Sequence, residues 1–466
     1  MATRRDQLHS YQFLTQRVIS AFVMRETDPA QSPLRRGIGA VFGGVMIAVL
    51  VAAGFGIYGI LTKASTDKWK ADGSVVIEKE TGASFVYFDQ TLYPTLNYAS
   101  ALLAAGKPGA QVFRVSSKKL SEAPRGNTVG IAGAPNSLPS LKQRVRLPWT
   151  VCTIPGTNES GQAVSTVAIA VAADARGGST LTDDAVLVRD ARLSTRYLIW
   201  HGRRYQIRDH DNVVPALFGS VTPVPVGTAW VNSLPAGADI SPINVPDRGA
   251  ASPAVPGRKN GDVLSTESGS GTSYFVVFSD GLAEITPLQR DILRAQSSAD
   301  PINIGLTEAQ QAPRSGRLRP PSGDTAPPLS TPELVSPGGG DLICAVTTDA
   351  AAAPSIRVDA TVDKLATAVP TGSVSEDAVT LADAVLVPAG KVAVVRALGS
   401  PNANAGPYYV ITDLGIKYPV PSGSVLDMLG YPAIQAVGVP AALVSRIPTG
   451  PTLDPSAALQ PARTTP

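Results

Sequence analysis

The residues able to do chemistry are few. The chain has 466 residues, and among them stand two cysteines, Cys152 in PWTVCTI and Cys344 in DLICAVT, and three histidines, His9, His201 and His210. A thiol can pair as a disulfide, act as a nucleophile beside a histidine, or ligate a metal. Neither cysteine has another cysteine or a histidine at ligand spacing. Both lie in apolar, β-prone runs, which leaves a disulfide or two buried thiols. IRDHDN sets His210 between Asp209 and Asp211, the residue types of a metal site or a general base. Neighbours on a strand point to opposite faces and do not converge on one ion, so a solvated turn is expected. Gly106-Lys107 is followed by Pro and Gly390-Lys391 by Val, so neither completes a phosphate-cradling G-x-x-x-x-G-K-[ST] loop. SGSGTS at 268–273 lacks the third glycine of a dinucleotide fingerprint. No catalytic, cofactor-binding or metal-ligating residue is assigned, and no cofactor is expected.

What would position any function is therefore the architecture. The composition is 44% hydrophobic and 17% charged, with 43 glycines and 40 prolines. Several packed cores, short strands and many turns follow from this. The basic excess sits at the N-terminus, in Arg4, Arg5, Arg17, Arg25, Arg35 and Arg36 against Asp6, Glu26 and Asp28. Beyond residue 36 acidic and basic side chains balance, which gives no electrostatic footprint for nucleic acid.

The segment from Gly37 to Leu61 carries no charge. As a helix it would run about 37 Å at ~1.5 Å per residue, enough for a hydrocarbon core of ~30 Å. It is longer than the apolar region of a cleaved signal peptide and begins too far into the chain. Arg35 and Arg36 abut its N-terminal side and set the topology: N-terminus in the cytoplasm, everything after residue 61 outside it. Gly39-x-x-x-Gly43, Ala40-x-x-x-Gly44 and Ala52-x-x-x-Gly56 would let another membrane helix approach closely. Before the anchor, Leu8, Tyr11, Leu14, Val18 and Phe22 recur at helical spacing and form a face for the membrane surface or a cytoplasmic partner. Asp28-Pro29 and Ser32-Pro33 break that helix. Outside the cytoplasm the cysteine pair favours a disulfide. By loop entropy such a bridge is worth roughly 3–5 kcal/mol.

Four segments share one pattern of strand, turn, strand and helix: 82–105, 195–219, 272–295 and 406–430. The pentapeptide DAVLV occurs twice, from Asp184 and from Asp383, and is read as the first strand of the second and fourth units. The expected layout follows. Residues 1–36 are a cytoplasmic helix and linker, 37–61 the membrane helix, 62–80 a stalk and 81–125 repeat 1. Residues 126–180 begin a central β-rich domain, 181–230 form repeat 2 and 231–308 the repeat 3 region. Residues 309–340 are a mobile Pro/Gly-rich excursion, 341–375 complete the central domain, 376–446 form repeat 4, and 447–466 a Pro-rich tail unfit to fold alone. The fold class is α+β, with a single transmembrane helix and an elongated extracytoplasmic domain of four β-hairpin/helix repeats around central strands.

RRDQLHSYQFLTQRVISAFV (4–23), GIAGAPNSLP (130–139), WVNSLPAGADISPINVPDRG (230–249) and YFVVFSDGLAEITPLQ (274–289) together resemble EccB. This family is a membrane-anchored core component of actinobacterial type VII (ESX) secretion systems. The resemblance implies a central domain closed by a disulfide, matched here by Cys152 and Cys344, among four repeats in pseudo-twofold arrangement. It also implies inner-membrane residence, self-association, and association with the EccC motor ATPase, EccD, EccE and the mycosin protease. The repeats are similar in fold to a phage lysin's wall-binding subunit, which implies a peptidoglycan contact as an alternative function. Some members are labelled ATPases, a further alternative for which the sequence offers no nucleotide loop.

Overall fold

The structure is a computed structural model describing residues 3–25, 34–63, 67–157, 160–161, 163–269, 271–297, 299–319, 321–338, 342–372, 374–375 and 378–462. The chain divides into two units, Met1–Ala71 and Asp72–Pro466.

The first unit carries two long helices, Arg4–Met24 and Leu34–Lys63. Asp6 closes the start of the first by accepting the backbone N–H and hydroxyl of Thr3, a capping arrangement that satisfies otherwise unpaired groups. Within the second, Gly37–Gly59 is long and apolar enough to cross a membrane, and none of it is buried in the protein. The breaking prolines Pro29 and Pro33 and the side chains of Arg35 and Arg36 lie outside the described residues.

In the second unit all four repeats have one topology. Each has three antiparallel strands, a helix, and a fourth strand that returns parallel to the first, in the sheet order third, second, first, fourth. Repeat 1 is Ser74–Glu78, Ser84–Phe88, Thr91–Pro94, helix Tyr98–Ala104 and Val112–Val115. Repeat 2 is Val186–Asp190, Arg196–Trp200, Arg203–Gln206, helix His210–Phe218 and Val224–Val226. Repeat 3 is Val263–Ser268, Gly271–Phe278, Gly281–Ile285, helix Pro287–Ser297 and Ile302–Asn303. Repeat 4 is Val392–Leu398, Tyr408–Thr412, Lys417–Val420, helix Gly423–Met428 and Val437–Pro440. The helices of repeats 1, 3 and 4 start where local side chains satisfy free N–H groups. Asn97 accepts from Ser100 N, Ser422 from Val425 N, and Thr286 and Gln289 cap each other reciprocally.

The repeats are thus larger than a hairpin plus a helix. The sheet of repeat 1 begins at Ser74, inside the expected stalk, because the apolar run Val75–Ile77 is short enough for a strand buried on both faces.

The central sheet is built from two hairpins, Trp149–Thr157 with Ala163–Val171 and Leu342–Thr347 with Ser355–Val362. One core combines a face of this sheet (Trp149, Val151, Ile169, Ile343) with repeat 2 (Val188, Ile199, Trp230) and repeat 4 (Val395, Ile411, Leu443). A second core joins repeats 1 and 4 through Leu103, Val394, Val410 and Leu426. A third joins repeats 2 and 3 through Val213, Val214, Leu288 and Ile292. The packing order is repeat 1, repeat 4, centre, repeat 2, repeat 3, which differs from the order in sequence.

The two copies of DAVLV part company here. Val186–Asp190 is the first strand of repeat 2, as expected. Ala384–Leu386 instead pairs in parallel with Ala168–Ala170 in the central sheet, and repeat 4 starts later, at Val392. Asp383 fixes the difference, accepting Val167 N at 2.7 Å through its carboxylate and donating its own N–H to Val167 O.

In two segments expected to be loose, described residues are held by hydrogen bonds or burial. In 309–340, Ala185 N–H donates to Glu333 O, Val335 N–H to Ala185 O, Leu288 N–H to Leu329 O and Ala238 N–H to Thr325 O. In the C-terminal segment Ile447, Leu453 and Ala458 are fully buried. Proline richness bars these stretches from making sheets of their own, yet their remaining N–H and C=O groups pair with strands already formed.

Candidate functional site

Each repeat is closed by a segment that sequence reading missed. The backbone N–H groups of Leu92, Arg204, Leu282 and Lys417, all on third strands, donate to the carbonyls of Pro124, Pro235, Pro313 and Pro448. The carbonyls of the same four residues accept from Gly126, Gly237, Ser315 and Gly450, and all eight bonds are 2.7–3.1 Å. A proline that sets an extended backbone, then one free residue, then a small residue is thus a repeat-closing motif, and its spelling (APRG, LPAG, APRS, IPTG) was present in the sequence. The small residue has a steric cause: in repeats 1, 2 and 4 the rings of Tyr93, Tyr205 and Tyr418 occupy the space a Cβ would take on Gly126, Gly237 and Gly450. Repeat 3 has Ala283 where the others have tyrosine and Ser315 where they have glycine, so ring and glycine change together.

An aromatic on each second strand (Phe85, Tyr197, Phe275, Tyr409) occupies an equivalent register position. Arg125, Arg204 and Arg314 lie over three of these rings at 4.9–5.7 Å, in cation–π range. These contacts fix the repeats internally.

Cys152 and Cys344 face each other in register on adjacent antiparallel strands, one from each central hairpin, with Cα atoms 4.0 Å apart, and form a disulfide. Both are fully buried, on the sheet face opposite the large core, among Ala170, Val346, Ala360 and Val362. The bridge closes a separation of 192 residues.

The chemistry-bearing residues do not converge. His210 begins a helix rather than a solvated turn; its Nδ1 lies 3.0 Å from Asp211, which also pairs with Arg196 at 3.3 Å. His201 stacks on Trp200 and meets Asp183 at 3.3 Å on the surface. Among the described residues no group of three or more His, Cys, Asp or Glu could hold a metal ion. Gly106 ends a helix, and Lys107 Nζ donates to Asp72 O. Lys391 Nζ donates to Gln143 Oε1, and Ser268 with Gly271 frames a hairpin turn. Lys417 is a buried cation. Burial, with Arg446 nearby, lowers its pKa to about 8, and its Nζ donates to Ile447 O at 2.5 Å.

On the membrane helix, a Cβ built on Gly39, Gly43, Gly44 or Gly56 meets nothing within 4 Å, and Ala40 and Ala52 are exposed. On the N-terminal helix Leu8, Tyr11, Leu14, Val18 and Phe22 are all exposed, as are Phe13 and Val23 off that stripe.

Among the described residues one helix long and apolar enough to cross a membrane precedes, in sequence, four like repeats, two of them packed on a disulfide-clasped sheet, the layout of a membrane-anchored subunit. The family model "Type VII secretion system ESX-1, transport TM domain B" matches residues 1–466. The chain belongs to this family, the EccB proteins of ESX secretion systems. An "ESX-3 secretion system ATPase EccB3" of Mycolicibacterium smegmatis is 28% identical over 478 residues, spanning 98% of this chain and 90% of the relative. An "ESX-2 secretion system ATPase EccB2" of Mycobacterium tuberculosis is 30% identical over 307 residues, spanning 64% and 60%. A chain of an intact ESX-5 inner membrane complex shares the fold at TM-score 0.64 and 24% identity, covering 100% of this chain and 96% of that one. An EccB3 dimer from the ESX-3 core complex matches at TM-score 0.61 and 26% identity, covering 83% and 100%.

Proposed function

We propose that this chain is a non-catalytic structural subunit of an ESX inner-membrane complex, anchoring and shaping the extracytoplasmic side of the secretion channel. The observation that carries this reading is the membrane helix, whose small-residue positions lie open. In lipid, close packing of such a face replaces the hydrophobic drive that is absent between helices. The N-terminus lies in the cytoplasm, on the side of Arg35 and Arg36. The helix 4–24 docks a cytoplasmic partner through Leu8, Tyr11, Leu14, Val18 and Phe22. The partners are EccC, EccD and EccE in the membrane, the mycosin protease outside it, and a second copy of the chain. The energy for transport comes from the motor ATPase EccC.

The ATPase names of the relatives suggest the competing reading. The placement of Lys107 and Lys391, each bonded to a neighbouring protein oxygen, disfavours it here. Solubilisation of the full chain in mild detergent should bring down EccC, EccD and EccE with it. A clean monomer would contradict the proposal.

A further inference from the structure

The closing segments of the repeats do more than finish their own sheets, because each crosses to a neighbouring repeat. After Val245, the segment closing repeat 2 has placed Ile243 and Val245 in the core of repeat 3. The segment closing repeat 3 returns Leu334 to the core of repeat 2. The segment closing repeat 1 meets repeat 4, where Tyr431 Oη donates to Pro139 O. The segment closing repeat 4 crosses back to repeat 1.

That last crossing is made by one short segment, added to the core that repeats 1 and 4 share through Leu103 and Leu426. Gly450 N–H and Leu453 N–H donate to Lys417 O and Pro419 O, holding the segment on the third strand of repeat 4. Pro455–Ala458 then lies against the helix of repeat 1, with Ala458 fully buried. Beyond it, Gly130 N–H donates to Gln460 O and Ala462 N–H to Thr128 O, which adds an antiparallel partner to the closing segment of repeat 1. Repeat 1 is the repeat that follows the membrane helix in sequence.

We propose that residues 447–462 are a latch: a strap fixed to repeat 4 that clamps the helix and closing segment of repeat 1 onto the core the two repeats share and, when its second half is released, loosens that side of repeat 1 while the disulfide-clasped centre stays as it is. The bonds distinguish its two halves. The half at 448–453 belongs to the sheet of repeat 4, and the half at 455–462 touches repeat 1, so the second half can detach while the first stays paired.

The test is hydrogen exchange on the full chain in detergent. Ala458→Asp puts a charge into the contact with the helix Tyr98–Ala104. Exchange at Gly130, Ile131 and Tyr98–Ala104 should rise at least tenfold, with Trp149–Thr157 and Leu342–Thr347 unchanged. A second variant, Val129→Cys with Pro461→Cys, joins the two residues that face each other in the antiparallel bridge; oxidised in the Ala458→Asp background, it should restore protection of repeat 1. Unchanged exchange in repeat 1 overturns the latch. So does loosening of the whole domain that the added bridge does not reverse.

Discussion

The ring of Tyr205 fills the space beside the backbone of Gly237 where a Cβ would stand, while Gly237 N–H donates to Arg204 O on the same strand as the ring. Gly237→Ala therefore forces ring or strand to move. Overpacking of this kind costs about 1–3 kcal/mol. Equilibrium denaturation of the full chain in detergent should show that loss. Tyr205→Ala combined with Gly237→Ser, the pairing that repeat 3 uses, should lose less than the two single changes added together. Simple additivity would show that ring and glycine are not coupled.

The disulfide joins two neighbouring hairpins of the central sheet through cysteines that lie 192 residues apart in sequence. Replacing Cys152 and Cys344 together by serine should lower stability by roughly 3–5 kcal/mol, read from the shift in the denaturation midpoint. Because both sulfurs are fully buried, labelling after mild reduction should proceed no faster than unfolding. Rapid labelling of the folded chain would contradict the buried placement.

The two copies of DAVLV make a matched pair of mutants. Asp383 accepts Val167 N at 2.7 Å, a bond from a charged acceptor that holds Ala384–Leu386 on the central sheet. Asp383→Ala should cost about 1.5–3 kcal/mol. Asp184→Ala, at an equally half-buried position on the first strand's approach, should cost less, roughly 0.5 kcal/mol. Equal costs in thermal unfolding would mean that the two pentapeptides do the same work after all.

Lys417 supplies a pH dependence. Its folded pKa of about 8 lies below the ordinary 10.5, so between those values the unfolded chain binds more protons than the folded one. Stability contributed by this group therefore increases as pH rises from about 8 to 10.5, and the burial penalty is present in full below 8. The difference in unfolding free energy between the natural chain and Lys417→Met should shift by about 2–3 kcal/mol over that range, in favour of the natural chain as pH rises. A flat difference would show that Lys417 stays charged in its carbonyl cage.

Legibility from sequence followed physical length scale. The membrane helix was plain because lipid demands a long uninterrupted apolar run, and Gly37–Gly59 is one. The hairpin and helix of each repeat could be read from the recurring pattern of strand, turn, strand and helix. The first and fourth strands of repeat 1 were not, because Ser74–Glu78 and Val112–Val115 are short runs that pair with each other in parallel across the intervening hairpin and helix. The second DAVLV misled for the same reason: a strand-like pentapeptide says nothing about which sheet it joins, and one carboxylate decided it. The proline-rich stretches looked loose because they lack periodicity, yet Pro313 and Pro448 within them each lend a carbonyl to a strand. Sequence alone leaves Cys152 and Cys344 as a disulfide or two buried thiols, and only their shared register on strands from two hairpins distant in sequence makes the bond.

The central claim, that the chain works as an anchored scaffold rather than an enzyme, is tested most directly by the size of the assembly it enters. Complexes should be extracted in mild detergent from membranes carrying the tagged natural chain or Gly39→Leu with Gly43→Leu, and their mass measured. The account predicts a large complex containing the motor ATPase for the natural chain. The leucine variant should lose it while its disulfide-clasped domain stays folded. A natural chain recovered alone, turning over ATP at a rate that one substitution abolishes, would contradict it.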